Sequence, residues 1–109
     1  MIRTGERYRI VLVTCASVAE ARRIGRSAVE KKLAACANIV TGVESIYRWK
    51  RKVERTREVL VIMKTGAGRL RELESEVKRM HSYDVPEFVA VPIVAGSREY
   101  LKWIGENAR

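Results

Sequence analysis

Apolar residues along the chain fall into short unbroken runs and longer stretches with a single apolar stripe, and their order predicts the elements. Tyr8 to Thr14 is a run with the character of a buried strand. From Ser17 the period changes. Ser17 and Glu20 have capping-box spacing, and Val18, Ala21, Ile24 with Gly25, Ala28 with Val29, and Leu33 trace one stripe of a helix. Gly25 and Ala28 are small, which lets this helix lie close to a sheet. Cys36 to Lys64 reads as one long β-hairpin. Its first arm alternates from Val43, with Val43, Ser45, Tyr47 and Trp49 on one face, and Gly42 marks a bulge or bend. Its second arm, Glu58 to Lys64, is apolar at five consecutive positions from Val59 to Met63, as expected of a central strand covered on both faces.

Beyond the hairpin, Leu70, Leu73, Val77 and Met80 mark a second amphipathic helix. His81 to Glu87 reads as a loop, because Pro86 pushes Val85 out of the α region. Phe88 to Val91 is the fourth strand, and Pro92 places it at a sheet edge. Ser97 caps a final helix over residues 98–107. The order β-α-β-β-α-β with an added C-terminal helix predicts an α+β, ferredoxin-like sandwich with a long central hairpin, two helices on one face of an antiparallel sheet. Residues 1–109 are expected to form a single domain, with residues 1–7 a flexible arm.

Charge changes the picture at one place. The chain has 22 Lys and Arg against 13 Asp and Glu, a net charge of +9. Arg48, Lys50, Arg51, Lys52, Arg55 and Arg57 form its only dense basic cluster, which must project into solvent or against a partner. Tyr47 and Trp49 travel with it. They either form a self-association surface or lie flat on their own sheet. Generic nucleic-acid binding is disfavoured, because Tyr8 to Thr14 lacks the strand aromatics of an RNA-recognition motif.

No apolar run reaches the ~20 residues of a membrane span, and Met1 to Arg7 lacks the apolar core of a signal peptide, so a cytoplasmic, non-membrane protein is expected. Cys15 and Cys36 are expected to be reduced and unpaired. Gly66 and Gly68 are not followed by Gly-Lys-Ser/Thr, so they do not form a nucleotide loop. His81 is the only histidine. One imidazole with Glu87, Asp84 and Cys15 as companions falls short of a preformed metal site unless neighbouring chains add ligands. No nucleophile can be assigned to His81 either, so no enzyme is expected.

Several motifs occur together and in order: Val11 to Thr14 before the first helix, Lys32 to Ile39, Ser45 to Trp49, Glu58 with Lys64-Thr65, His81 to Glu87, and Tyr100 to Ile104. Together they resemble the CutA divalent-cation-tolerance family over about residues 8–105. The resemblance implies a non-enzymatic homotrimer similar in architecture to PII signalling proteins, with the hairpin adding strands across subunit boundaries. It implies a link to divalent cations such as copper (Cu2+), with His81 and Glu87 as metal candidates and Tyr47, Trp49, Lys64 and Tyr83 at an inter-subunit cleft. The alternative is a regulatory or scaffold trimer that binds a small anion or a protein without a physiological metal. The chain departs from the family pattern where Ser82 replaces a common Pro, where Lys50-Arg51-Lys52 replaces a Gly near the hairpin tip, and where Arg55-Thr56-Arg57 replaces acidic residues. Cys15 lies two positions beyond the thiol of some members, which aligns with Val13.

Overall fold

The structure, a computed structural model, describes residues 1–5 and 7–109. Strand β1 is Ile2–Arg3, β2 Tyr8–Cys15, β3 Cys36–Trp49, β4 Lys52–Gly66, β5 Val89–Pro92 and β6 Ala95–Gly96. Helix α1 is Val18–Glu30, α2 Leu70–Met80 after a 3-10 turn at Ala67–Arg69, and α3 Arg98–Asn107. The four long strands run antiparallel in the order β3-β4-β2-β5. This is the α+β arrangement of a ferredoxin-like domain, with β4 and β2 central and β5 on an edge where Pro92 is tolerated.

The alternation of β2 and β4 divides the sheet into two unlike faces. Val11, Val13 and Cys15 on β2, with Val59, Val61 and Met63 on β4, are buried under Ala21, Ile24 and Ala28 of α1 and Leu73 and Val77 of α2. A Cβ added at Gly25 would come within 3.0 Å of the Ala37 Cβ, so the small residue sets how closely α1 approaches β3. Ser17 and Ser97 cap α1 and α3, their hydroxyls accepting from the N–H groups of Glu20 and Tyr100. On the other face, Ile10, Leu12, Leu60 and Ile62 are only half-buried, and Val40, Val89 and Val91 are exposed. Among the described residues no helix covers that middle. Helix α3 lies at one end, where Leu101, Ile104 and Ala108 pack with Ala35, Ile2, Tyr8 and Ile93.

Two expectations change. Residues 1–7 were expected to be a flexible arm, but Ile2–Arg3 pairs with Ala95–Gly96 in a second, two-stranded sheet, and buried Thr4 hydrogen-bonds the carbonyl of Ile93. Glu6 lies outside the described residues. The second arm of the hairpin was expected to start at Glu58, but β4 already starts at Lys52. Both strands continue through the basic segment to a two-residue turn at Lys50-Arg51, with Trp49 opposite Lys52 and Val43 opposite Glu58. An exposed ribbon keeps its charges in water on either face, so the basic residues do not oppose strand formation. Gly42 sits at a positive φ of 74° in the bulge between Val40 and Val43. Cys15 and Cys36 are free thiols.

Candidate functional site

Helix α2 ends at His81, whose extended backbone starts the loop that returns beneath the hairpin. The Tyr83 N–H donates to His81 Nδ1 at 3.1 Å. That leaves the proton on Nε2, which donates to the carbonyl of Thr14 at 2.7 Å. The lone histidine therefore ties the end of α2 to the end of β2. Glu20, in the first turn of α1, accepts from the N–H groups of Ala16 at 3.2 Å and Ser82 at 2.8 Å. Burial alone would raise its carboxyl, but the hydrogen bonds from Ser82 and Ala16 outweigh burial and hold it below its ordinary range.

Cys15 completes this group. One ligand atom each from Cys15, Glu20 and His81 lies within 4.8 Å of the other two. Burial, reinforced by the charges of Glu20 and Glu58, pushes the Cys15 thiol up to about 12, so it is protonated at neutral pH. Sequence reasoning considered His81 and Cys15 but missed Glu20. The only local signal for Glu20 was its capping-box spacing, which says nothing of a partner 62 residues away in Ser82.

A separate cleft of about 660 Å³ opens beside this cluster, between the hairpin and the 81–88 loop. Tyr47, Trp49 and Glu58 of the hairpin line it with Tyr83, Asp84 and Glu87 of the loop. The Tyr83 hydroxyl donates to Glu58 Oε2 at 2.7 Å, and the Tyr47 hydroxyl lies 3.0 Å from that of Thr56. Burial, and then the charge and hydrogen bond of Glu58, raise the Tyr83 phenol. Burial followed by the charge of Glu58 raises the Glu87 carboxyl, against a hydrogen bond from Thr14. Tyr47, Trp49, Tyr83 and Glu87 thus share one cleft. His81 stands behind its wall and Lys64 stands elsewhere: the Lys64 ammonium donates to Asn38 Oδ1 at 2.9 Å and lies 5.9 Å from the Tyr100 ring centre. Glu58, which sequence analysis singled out only within the family pattern, is the buried acid of the cleft.

The model of the CutA1 divalent ion tolerance protein family matches residues 9–107. The chain belongs to that family. It is 48% identical over 98 residues to the divalent-cation tolerance protein CutA of Thermus thermophilus, an alignment covering 90% of this chain and 95% of that protein. A solved divalent cation tolerance protein from the same organism superposes with a TM-score of 0.92 at 46% identity, covering 94% of this chain and 99% of that one. CutA of Archaeoglobus fulgidus is 41% identical over 100 residues, covering 92% of this chain and 97% of that protein. The chain spans about half the length of the Arabidopsis and human CutA proteins, 55% and 51% respectively.

Membership in the CutA family assigns a role in divalent-cation tolerance or response. The role is non-enzymatic, in a family defined by ion tolerance and not by a reaction. The Ser82 departure from the common Pro now has a structural meaning, because Ser82 supplies Glu20 with a backbone N–H that a proline does not carry.

Proposed function

We propose that this CutA-family protein acts as a cytoplasmic homotrimer that binds Cu2+ through Cys15, Glu20 and His81. The observation that carries the metal reading is the convergence of three different donor types, each from a separate element, within 4.8 Å. Thiolate, imidazole and carboxylate together suit copper or zinc and not magnesium or calcium, and copper(II) stands highest in affinity among the divalent first-row metals. The residues fit the ion in kind, at a cost that can be named. His81 must give up one of its two hydrogen bonds and Cys15 its proton. A bound dication favours the thiolate, so affinity should rise with pH as the proton on Cys15 becomes easier to displace. Glu87 lies outside this set and faces the cleft.

Calorimetric titration with Cu2+ tests the site. His81→Ala should weaken binding at least tenfold, about 1.4 kcal/mol, and Cys15→Ser should do so too. Unchanged affinity in both variants would remove the cluster from the function. A small anion is a poorer ligand for the neighbouring cleft, whose charged lining residues, Glu58, Asp84 and Glu87, are all acidic.

The trimer rests on the uncovered sheet face. Leu12 stands between Ile62 and Val89, and Ile10 between Lys64 and Val91, on the side away from α1 and α2. The five-residue apolar run of β4 matches a strand buried on both faces, and one chain supplies only one cover. Other copies of the chain would supply the second.

A further inference from the structure

We propose that the cleft between the hairpin and the 81–88 loop binds an organic cation, a primary ammonium or guanidinium group on an apolar stem. Its volume of about 660 Å³ suits a small ligand. The lining combines three aromatic side chains, Tyr47, Trp49 and Tyr83, with three carboxylates, Glu58, Asp84 and Glu87. No Lys or Arg lines it, in a chain that has 22 of them and carries a dense group on this same hairpin.

Strand register produces this separation. The cross-strand pairs Arg48 with Val53, Ile46 with Arg55 and Glu44 with Arg57 place three arginines on one face of the ribbon. The pairs Tyr47 with Glu54 and Val43 with Glu58 lie on the other, the cleft side, with Trp49 and Lys52 at its tip end, where Trp49 lines the cleft and Lys52 does not. The acidic side of the cleft also lacks counter-ions. Glu58 is only 8% exposed, and the hydrogen bond it receives comes from the neutral Tyr83 hydroxyl. Among the described residues no salt bridge reaches Glu58, Asp84 or Glu87. A buried carboxylate without a cation is destabilising, and burial with the field of Glu58 already raises the Glu87 carboxyl. A cation in the cleft relieves both.

The aromatic walls decide which cation. A small divalent ion holds its water and gains little from ring faces, whereas an ammonium or guanidinium is attracted to Trp and Tyr faces and brings an apolar stem. Val85, which also lines the cleft, provides apolar surface for that stem. The inference is independent of the metal reading, because none of Cys15, Glu20 and His81 lines the cleft.

The test is a calorimetric titration of the full chain with agmatine, which carries both head groups on a four-carbon stem, and with 1-butanol as the neutral control. Trp49 fluorescence in a Trp103→Phe background gives a second, local readout, since the chain has two tryptophans. Saturable binding at one agmatine per chain is expected, with a change in Trp49 emission and no saturation by butanol. Glu87→Gln should weaken agmatine at least tenfold, as should Trp49→Leu, whereas Glu106→Gln on α3 should not. Three outcomes overturn the proposal: no saturation by about 10 mM agmatine, equal binding of the alcohol, or unchanged affinity in Glu87→Gln. The last decides alone if Trp49→Leu fails to assemble, because Glu87 lies in the 81–88 loop and not on the hairpin. A cleft filled by a neighbouring subunit would give the first outcome. The copper isotherm is a separate measurement and can fail without changing this one.

Discussion

Glu76 links α2 to α1 through its carboxylate. It is 8% exposed, on α2, and accepts from Ser27 at 2.5 Å, from Lys31 at 2.9 Å and from two nitrogens of Arg79 at 3.0 and 2.8 Å. The Arg79 contact first, then Ser27 and Lys31, hold the carboxyl well below the usual range. Its folded pKa is lowered, so the stabilisation is complete above the unfolded value near 4 and is lost as pH falls towards the folded one. Glu76→Gln should therefore lower stability at pH 7 by about 1–2 kcal/mol, and the difference from wild type should shrink in acid. The 3–5 kcal/mol typical of a broken buried pair does not apply, because Lys31 and Arg79 are more than half exposed and can return to water. Denaturant midpoints at pH 7 and pH 3, at one protein concentration, check this, and a difference undiminished at pH 3 would contradict the electrostatic account. Glu76 gave no sequence signal beyond its place in an amphipathic helix, since Ser27 and Lys31 lie 49 and 45 residues away. His81 was legible as the residue that ends α2. Its bond to Thr14, 67 residues away, was not.

At the scale of elements, the helices were read closely because their caps are local: a Ser at the N-cap and an apolar stripe suffice. The hairpin was legible in its existence and overall span but not in the start of its second arm, because the pairing of Lys52 to Arg57 shows only when set against a partner strand. The β1–β6 pair was missed for a related reason: two residues are too short to show a period. The hairpin turn carries a further consequence. Lys50 and Arg51 have φ of 51° and 68°, the left-handed pair of a type I′ turn, where Asn-Gly is favoured. A side chain with a Cβ resists this region, by about 1 kcal/mol or more at each position. The strain is expected to be local, because the tip is exposed. Replacing Lys50 by Asn and Arg51 by Gly should raise stability by about 1 kcal/mol without altering the register from Val43 to Trp49. Denaturant unfolding at fixed protein concentration measures the gain, and a loss would show that the two cations make contacts worth more than the strain.

The topology of the whole molecule followed from the order β-α-β-β-α-β, but the proposed assembly depends on what one chain leaves open. The molecule measures 44 × 24 × 23 Å, and its long axis reflects a ribbon whose seven pairs from Val43 to Trp49 extend about 20 Å. Ile46 and Val53 on that ribbon are 67% and 64% exposed. A two-stranded ribbon is marginal in water by itself, and the edges β3 and β5 remain free to pair. Closed cyclic symmetry would cover the apolar sheet face and end such pairing without fibre growth. Sedimentation equilibrium at micromolar concentration should then report about three times the chain mass of 12.4 kDa. Folding and assembly should be linked, so the apparent melting temperature should rise with protein concentration. Ile62→Asp separates this from an open sheet face. If the face around Ile62 met only water, a half-buried Asp there would cost little, whereas between subunits it would bury an unpaired charge and dissociate the assembly. A wild-type chain that sediments as a folded monomer, with a melting temperature independent of concentration, would overturn the trimer.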